Sequence, residues 1–383
     1  MQNPGVTPAT TLDLKSEYQL PRTIPQLDRL RGLAILLVLI YHSYHVAPRA
    51  LEGIFRQGWI GVDIFFVISG FLITGILWDT RETKGYFGRF YGRRILRIWP
   101  AYTLLLIFAF CIMPLLRVVV GGLVLQVTRE PLGLWAYLLM IQNLFASSLG
   151  ASVILAVTWS LAIEEQFYLV WPAVIRYASR RVALPCILSS FLLAPLLRIW
   201  AMQHGFPQIT IYSNPLTHGD GLLSGAIIAI WLRSARPKRR TLLLVGATLL
   251  LAGLALYLAI QPSHVTSQYC SPLVFSAVAL FSTGLLLVSL VSENVGPLLH
   301  RFFFMNRTLS FFGFISYSLY LYHFFIIKLV VSDKLLTRLD RWHHPSITGY
   351  LMAMCGFGLC VSIAWISRVT LERTALSKKG LFG

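Results

Sequence analysis

LRGLAILLVLIYHSYHVA, residues 30–47, is the stretch on which the reading of this chain turns. It is an apolar run of nearly bilayer length, yet it carries Arg31 at its start and His42 near its end, with ten residues between them. On a helix that spacing is a rise of ~16 Å at 1.5 Å per residue. Ionisable groups at membrane depth are costly and normally face a partner or a water-filled cavity. A guanidinium can hold an anion, and imidazole is the side chain best suited to moving a proton near neutral pH. The pair points to chemistry inside a bilayer.

The remainder of the chain agrees. It is 56% hydrophobic and only 13% charged, with a mean hydropathy of +0.68, whereas a soluble domain carries roughly a quarter charged residues. Ten apolar segments are long enough to cross a membrane: about 30–48, 58–78, 98–119, 158–175, 183–203, 219–233, 241–260, 272–291, 310–331 and 346–367. An eleventh, Leu132 to Ala146, is short and contains Gln142 and Asn143. Basic residues cluster at 79–97, 176–182, 233–240 and 368–383. If 132–146 crossed, the second and third clusters would face outside; if it is re-entrant or interfacial, every cluster lies in the cytoplasm, as the positive-inside rule requires. The expected fold class is therefore all-α, a polytopic membrane helical bundle with about ten transmembrane helices and a re-entrant or interfacial segment. Residues 1–29 are expected to form a flexible cytoplasmic tail, 30–367 the membrane domain and 368–383 a cytoplasmic C-terminal tail.

The net charge of +18 does not indicate nucleic-acid binding. The basic residues sit at the ends of apolar runs, with no basic helix and no binding motif. Cys111, Cys186, Cys270, Cys355 and Cys360 form no CxxC pair and read as structural thiols rather than a disulfide framework. Residues 1–29 contain Pro21 and Pro25 and lack the apolar core of a signal peptide, so the first helix is expected to remain as an anchor.

Counting inward from the segment ends places His42, Asp63, Glu164 and Glu165 in one layer, roughly 8–11 Å below the outer boundary. His323 falls near the middle of the ninth segment. A carboxylate beside an imidazole orients the ring and raises its basicity. Arg31, Arg93, Arg94 and Arg97 mark the inner layer, and Arg94 and Arg97 share a helical face. Planar guanidiniums bind phosphate through two parallel bonds. Simpler roles compete: arginines that anchor helix ends to anionic lipid, or a core histidine bonded to a neighbour. A His42–His45 metal site would need further ligands, so no metal and no bound cofactor is expected.

Arg31-x10-His42, GVDIFFVISGFLITGIL (61–77), YGRRILRIWPAY (91–102), TWSLAIEEQFYLVWP (158–172) and ISYSLYLYHF (315–324) together resemble acyltransferase family 3, integral-membrane O-acyltransferases that modify glycans and other acceptors. The resemblance spans roughly residues 25–370 and implies a ten-helix domain with acyl-CoA as donor at the cytoplasmic face. It implies roles for Arg31 and His42 in the first-helix motif, Arg94 and Arg97 in an RxxR motif, Glu165 in the WSL-type motif and Asp63 in the second-helix motif. One departure is His218-Gly219-Asp220, where relatives often carry an arginine shortly before the aspartate. No SGNH hydrolase-like domain of the kind found in some relatives follows the last segment, so transfer that depends on one is not expected.

These features lead to an expected O-acyltransferase of polysaccharide biosynthesis in a bacterial inner membrane, with both termini cytoplasmic. It would move an acyl group, acetyl by preference, from acyl-CoA to a hydroxyl of a carbohydrate or glycolipid. His42 is the expected base or acyl carrier, with Glu165 or Asp63 orienting it. Arg31, Arg94 and Arg97 would grip the donor, with Glu164, His323 and Asn143 in support. The alternatives are a transporter or flippase for a glycan or lipid-linked substrate, and a non-catalytic scaffold or sensor.

Overall fold

The computed structural model describes residues 16–21, 23–44, 49–120, 132–145, 154–260, 271–294, 296–297, 300–301, 306–330 and 345–382. Among them are ten helices of 16 residues or more. These are α1 (Pro25–His42), α2 (Gly61–Thr80), α3 (Tyr86–Ile107), α4 (Thr158–Tyr177), α5 (Arg180–Gln203), α6 (Asp220–Ala235), α7 (Arg239–Ile260), α8 (Val274–Leu290), α9 (Arg307–Val330) and α10 (Pro345–Ser367). The described residues contain no strand, only an isolated bridge between Glu17 and Lys238.

Among the described residues, six helical runs are long and apolar enough to cross a membrane: Ala50–Thr80, Tyr86–Leu116, Leu184–Gln203, Arg239–Ile260, Arg307–Val330 and Leu351–Leu381. The others are shorter or carry charge. α6 has 16 residues and α8 has 17. α1 holds Asp28, Arg29 and Arg31, and α4 holds Glu164, Glu165 and Arg176.

Direction is fixed by polar pairs repeated along neighbouring helices. Asp63, near the start of α2, bonds His218, just before α6, at 3.1 Å. Asp79, near the end of α2, bonds Arg233, near the end of α6, at 2.7 and 2.8 Å. Between these anchors a Cβ at Gly225 would collide with the Val67 carbonyl, and one at Gly70 with the Leu222 carbonyl. The two helices thus run parallel with their backbones in contact, which only small residues permit. α4 is parallel to α2 by the same logic. Ser69 donates to Glu164 at 2.9 Å, Trp171 to Thr74 at 2.8 Å, and Arg81 to the Ala178 carbonyl at 3.4 Å. The basic clusters that follow α2, α4 and α6 consequently meet at one end of the bundle. α1 and α9 are parallel too, with Gly313 against the Asp28 carbonyl at one end and His42 against His323 at the other.

Pro100 and Pro172 each remove a backbone donor inside a helix. Tyrosine hydroxyls supply donors nearby: Tyr317 to the Ile98 carbonyl at 2.7 Å, Tyr322 to Ala101 at 3.2 Å, Tyr86 to Pro172 at 3.0 Å and Tyr91 to Leu169 at 2.8 Å.

Two expected segments differ in the structure. Within the tail expected over 1–29, Tyr18 is buried and its amide donates to the Pro237 carbonyl at 2.9 Å, while α1 already begins at Pro25; residues 1–15 and 22 lie outside the described residues. The tail expected over 368–383 is instead helical through Phe382. Its Glu372 is buried and accepts bonds from Ser318 at 2.5 Å and Arg368 at 3.0 Å, which pins the segment to α9. Of the apolar segment 132–146, the described residues 132–145 hold two short helices, Leu134–Leu138 and Gln142–Phe145, broken at Met140, where φ is +54°. Gln166 of α4 holds that break by donating to the Met140 carbonyl at 2.8 Å.

Gly225→Leu should lower the melting temperature in detergent, because overpacking costs about 1–3 kcal/mol or more. Gly358→Leu, at a position with open space around its Cβ, is the control. Equal melting of the two variants would contradict the close parallel packing of α2 and α6.

Candidate active site

The three expected donor arginines come together. Arg31 of α1 and Arg94 and Arg97 of α3 line one cavity of about 100 Å³, whose wall also includes Ser69, Glu164, Tyr168, Ser160 and Tyr320. Two of them are placed by different contacts. Arg31 is tied to Asp28 one helical turn back at 3.0 Å. The Arg94 guanidinium carbon lies 5.2 Å from the Tyr168 ring centroid, a cation–π distance. Tyr168 in turn donates to Glu164 at 3.0 Å, so Glu164 is held by hydroxyls from α2 and from its own helix. At the far end of the cavity Ser160 and Tyr320 share a 2.6 Å hydrogen bond.

Tyr320 connects this cavity to the imidazoles. Its carbonyl oxygen lies 2.8 Å from His323 Nδ1, and His323 Nε2 lies 3.1 Å from His42 Nδ1, which is also 3.0 Å from the Val38 carbonyl. The protons can be assigned from this network. A carbonyl only accepts, so His323 Nδ1 carries the proton and its neutral Nε2 is an acceptor. His42 Nδ1 then faces two acceptors and must itself be the donor. The lone pair of the neutral His42 ring is left on Nε2, the form a general base requires. Two imidazoliums at 3.1 Å would repel strongly at low dielectric, so the pair holds at most one added proton. His42 is half-buried and His323 fully buried, which suits one ring for reaction and the other for support.

The expected carboxylate partners of His42 lie elsewhere. Asp63 is wholly buried against His218. Glu164 lines the arginine cavity. Glu165 interacts electrostatically with Glu164 and Arg94, and its buried Oε1 has no hydrogen-bond partner among the described residues. The layer inferred by counting from the segment ends fails because the second helical run starts at Arg49 rather than near residue 58, which shifts Asp63 inward relative to His42. Asn143 supports the bend at Met140, exchanging hydrogen bonds with Gln166 at 2.8 and 3.3 Å and donating to the Ser213 carbonyl at 3.0 Å. His45 lies outside the described residues.

Sequence reading missed several of these residues. Tyr168 was detectable as the i+4 neighbour of Glu164 on one helical face. Ser69, Ser160 and Tyr320 were not, because their roles depend on which helices pack together. The departure at His218-Gly219-Asp220 also resolves here. Asp220 does have its arginine, supplied by α5: Arg198 forms a two-pronged pair with it at 2.8 and 3.0 Å, both side chains 0% exposed. Ser276 and the carbonyls of Thr217 and Pro272 complete the guanidinium's bonding. Removing one partner of such a buried pair typically costs about 3–5 kcal/mol, so this group ties α5, α6 and α8 together.

The family profile for the acyltransferase domain matches residues 24–369, and the chain belongs to that family, acyltransferase family 3. It is 28% identical over 340 residues to the peptidoglycan O-acetyltransferase OatA of Listeria monocytogenes serovar 1/2a, covering 83% of this chain and 52% of that protein. It is 31% identical over 346 residues to the putative peptidoglycan O-acetyltransferase YrhL of Bacillus subtilis, covering 84% and 51%. It is 30% identical over 326 residues to the O-acetyltransferase OatA of Staphylococcus aureus, covering 82% and 52%. The chain thus spans about half the length of the curated relatives it matches. No solved structure matches it.

Proposed function

We propose that this protein is a membrane O-acyltransferase that takes an acyl group, acetyl by preference, from acyl-CoA and delivers it to a hydroxyl of a carbohydrate or glycolipid. The observation that carries the reading is a guanidinium-lined cavity whose wall includes a tyrosine bonded to a pair of imidazoles. Arg31, Arg94 and Arg97 line a cavity that reaches Tyr320, whose carbonyl orients the His323–His42 pair. The donor's phosphates would bind the guanidiniums, and the rise of ~16 Å from Arg31 to His42 is one that an extended pantetheine arm covers. His42 Nε2 takes the proton of the acceptor hydroxyl as its oxygen attacks the thioester carbonyl. The C–S bond breaks, and the departing thiolate receives the proton as CoA-SH. The same lone pair also permits a transient acyl-histidine, with the acyl group passing from sulfur to Nε2 and then to the acceptor oxygen. His323 keeps the reactive nitrogen deprotonated in either route. The relatives' names, which specify O-acetyl transfer and peptidoglycan, support an acetyl donor and a glycan acceptor, and nothing favours the transporter reading.

The proposed topology is ten spans with both termini cytoplasmic, in a bacterial inner membrane. Parallel α2 and α4 support it: the chain between them must cross an odd number of times, and α3 supplies that crossing. Segment 132–146 then stays on one side, and the clusters after α2, α4 and α6 face the cytoplasm.

His42→Ala in the purified protein should abolish acceptor-dependent CoA-thiol release while leaving abundance near normal, since general-base assistance is worth roughly 10²–10⁴-fold. Retained release by a well-expressed variant would remove His42 from the mechanism. For topology, a cysteine placed at Ala178, in a background without other accessible thiols, should resist an impermeant reagent in intact cells. Ready labelling would contradict the ten-span arrangement.

A further inference from the structure

Beyond the cavity lies a second set of cations that the reading above does not use. The last helical turns, Arg373–Ser377 and Lys378–Phe382, pack against α3, the helix that carries Arg93, Arg94 and Arg97. Their placement is set by the buried Glu372, bonded to Ser318 of α9 and to Arg368. This fold-back brings the exposed Lys379 beside the arginines: desolvation, and then the charges of Arg97, Arg368, Arg93 and Arg94, hold its ammonium below the ordinary lysine range. Arg31 is paired with Asp28, and Arg368 with Glu372. Arg94, Arg97 and Lys379 form no ion pair among the described residues. Like charges gathered in this way repel unless an anion joins them. Lys379 also lies beyond the family match, which ends at residue 369.

The order of groups along the donor matches the order of groups along the protein. CoA runs from thioester through pantetheine and pyrophosphate to a ribose 3′-phosphate. The protein runs from His42 through Tyr320 and Ser160 to Arg31, Arg94 and Arg97, with Arg93 and Lys379 close to Arg97 outside the cavity wall. If the cavity arginines meet the pyrophosphate, the neighbouring cations outside the cavity wall are left for the remaining phosphate. Resting on the acyl-CoA reading, we propose that Lys379 and Arg93 bind the 3′-phosphate of the donor, so that the C-terminal helical segment is part of the donor site rather than a tail.

The test is calorimetric titration of the full-length protein with acetyl-CoA and with its 3′-dephospho form. The wild type should bind acetyl-CoA about tenfold or more tightly than the dephospho donor, as expected for charge-assisted bonds to one phosphate. Lys379→Gln should lose most of that difference, weakening acetyl-CoA and leaving the dephospho donor unchanged, and Lys379→Arg should restore it. A Lys379→Gln protein that keeps the full preference would overturn the proposal and assign the lysine to anionic lipid headgroups. Equal binding of the two donors by the wild type would overturn it while leaving the donor reading intact. Binding of neither donor would overturn both.

Discussion

Two parallel packings, α2 against α4 and α2 against α6, constrain the rest of the molecule. Neighbours in a membrane bundle are most simply antiparallel, joined by short turns; a parallel neighbour must be reached by an odd number of intervening crossings. Here the alignment is locked at separated depths, by Asp63–His218 and Asp79–Arg233 on one side of α2 and by Ser69–Glu164 and Thr74–Trp171 on the other. These contacts are unequal. Asp79 is more than half exposed, and such surface pairs contribute about 0–1 kcal/mol. Asp63–His218 and Arg198–Asp220 are fully enclosed, where an unpaired partner is far costlier. The buried pairs therefore set the register, while close backbone approach at Gly70 and Gly225 supplies the packing.

From that register follows the polarity of the site. With α2, α4 and α6 pointing the same way, the basic clusters after each converge on one end, and the cavity arginines lie toward it. α1 and α9, parallel as well, carry the histidines toward the other. The resulting arrangement is asymmetric: guanidiniums suited to phosphate line the cavity, and beyond Tyr320 stands an imidazole whose tautomer is set by a second imidazole and two carbonyls. His323 here takes the orienting role that a carboxylate often fills beside a catalytic histidine. A neutral orienter holds the ring without placing a second uncompensated charge among buried groups.

Much of this was legible in the sequence. The helical class, the Arg31-x10-His42 pair and the RxxR arginines follow from spacing and charge, and the five motifs in order point to the family. The partners of the polar residues were harder to read. Counting depth from the edge of an apolar run assumes that the helix ends where apolarity ends, but α1 ends at His42 rather than near residue 48, and helical structure begins at Arg49 before α2. That error placed Asp63 and the α4 glutamates beside His42. Arg198 was hidden for another reason: its partner Asp220 lies on a different helix, and pairing across elements leaves no periodic signal. The C-terminal segment read as a tail because it is polar, yet one buried glutamate is enough to dock it.

The central claim is that donor binding and acyl transfer fall to separate groups, the cavity arginines and the imidazole pair. Calorimetric titration of acetyl-CoA into the purified wild type, an Arg94→Lys, Arg97→Lys double variant and His42→Ala tests it most directly. Lysine preserves charge but not the two-pronged geometry, and each lost charge-assisted bond contributes on the order of 1.5–3 kcal/mol. The account predicts at least a tenfold weaker dissociation constant for the lysine variant and unchanged affinity for His42→Ala. Wild-type affinity in the lysine variant, or loss of donor binding in His42→Ala, would contradict it.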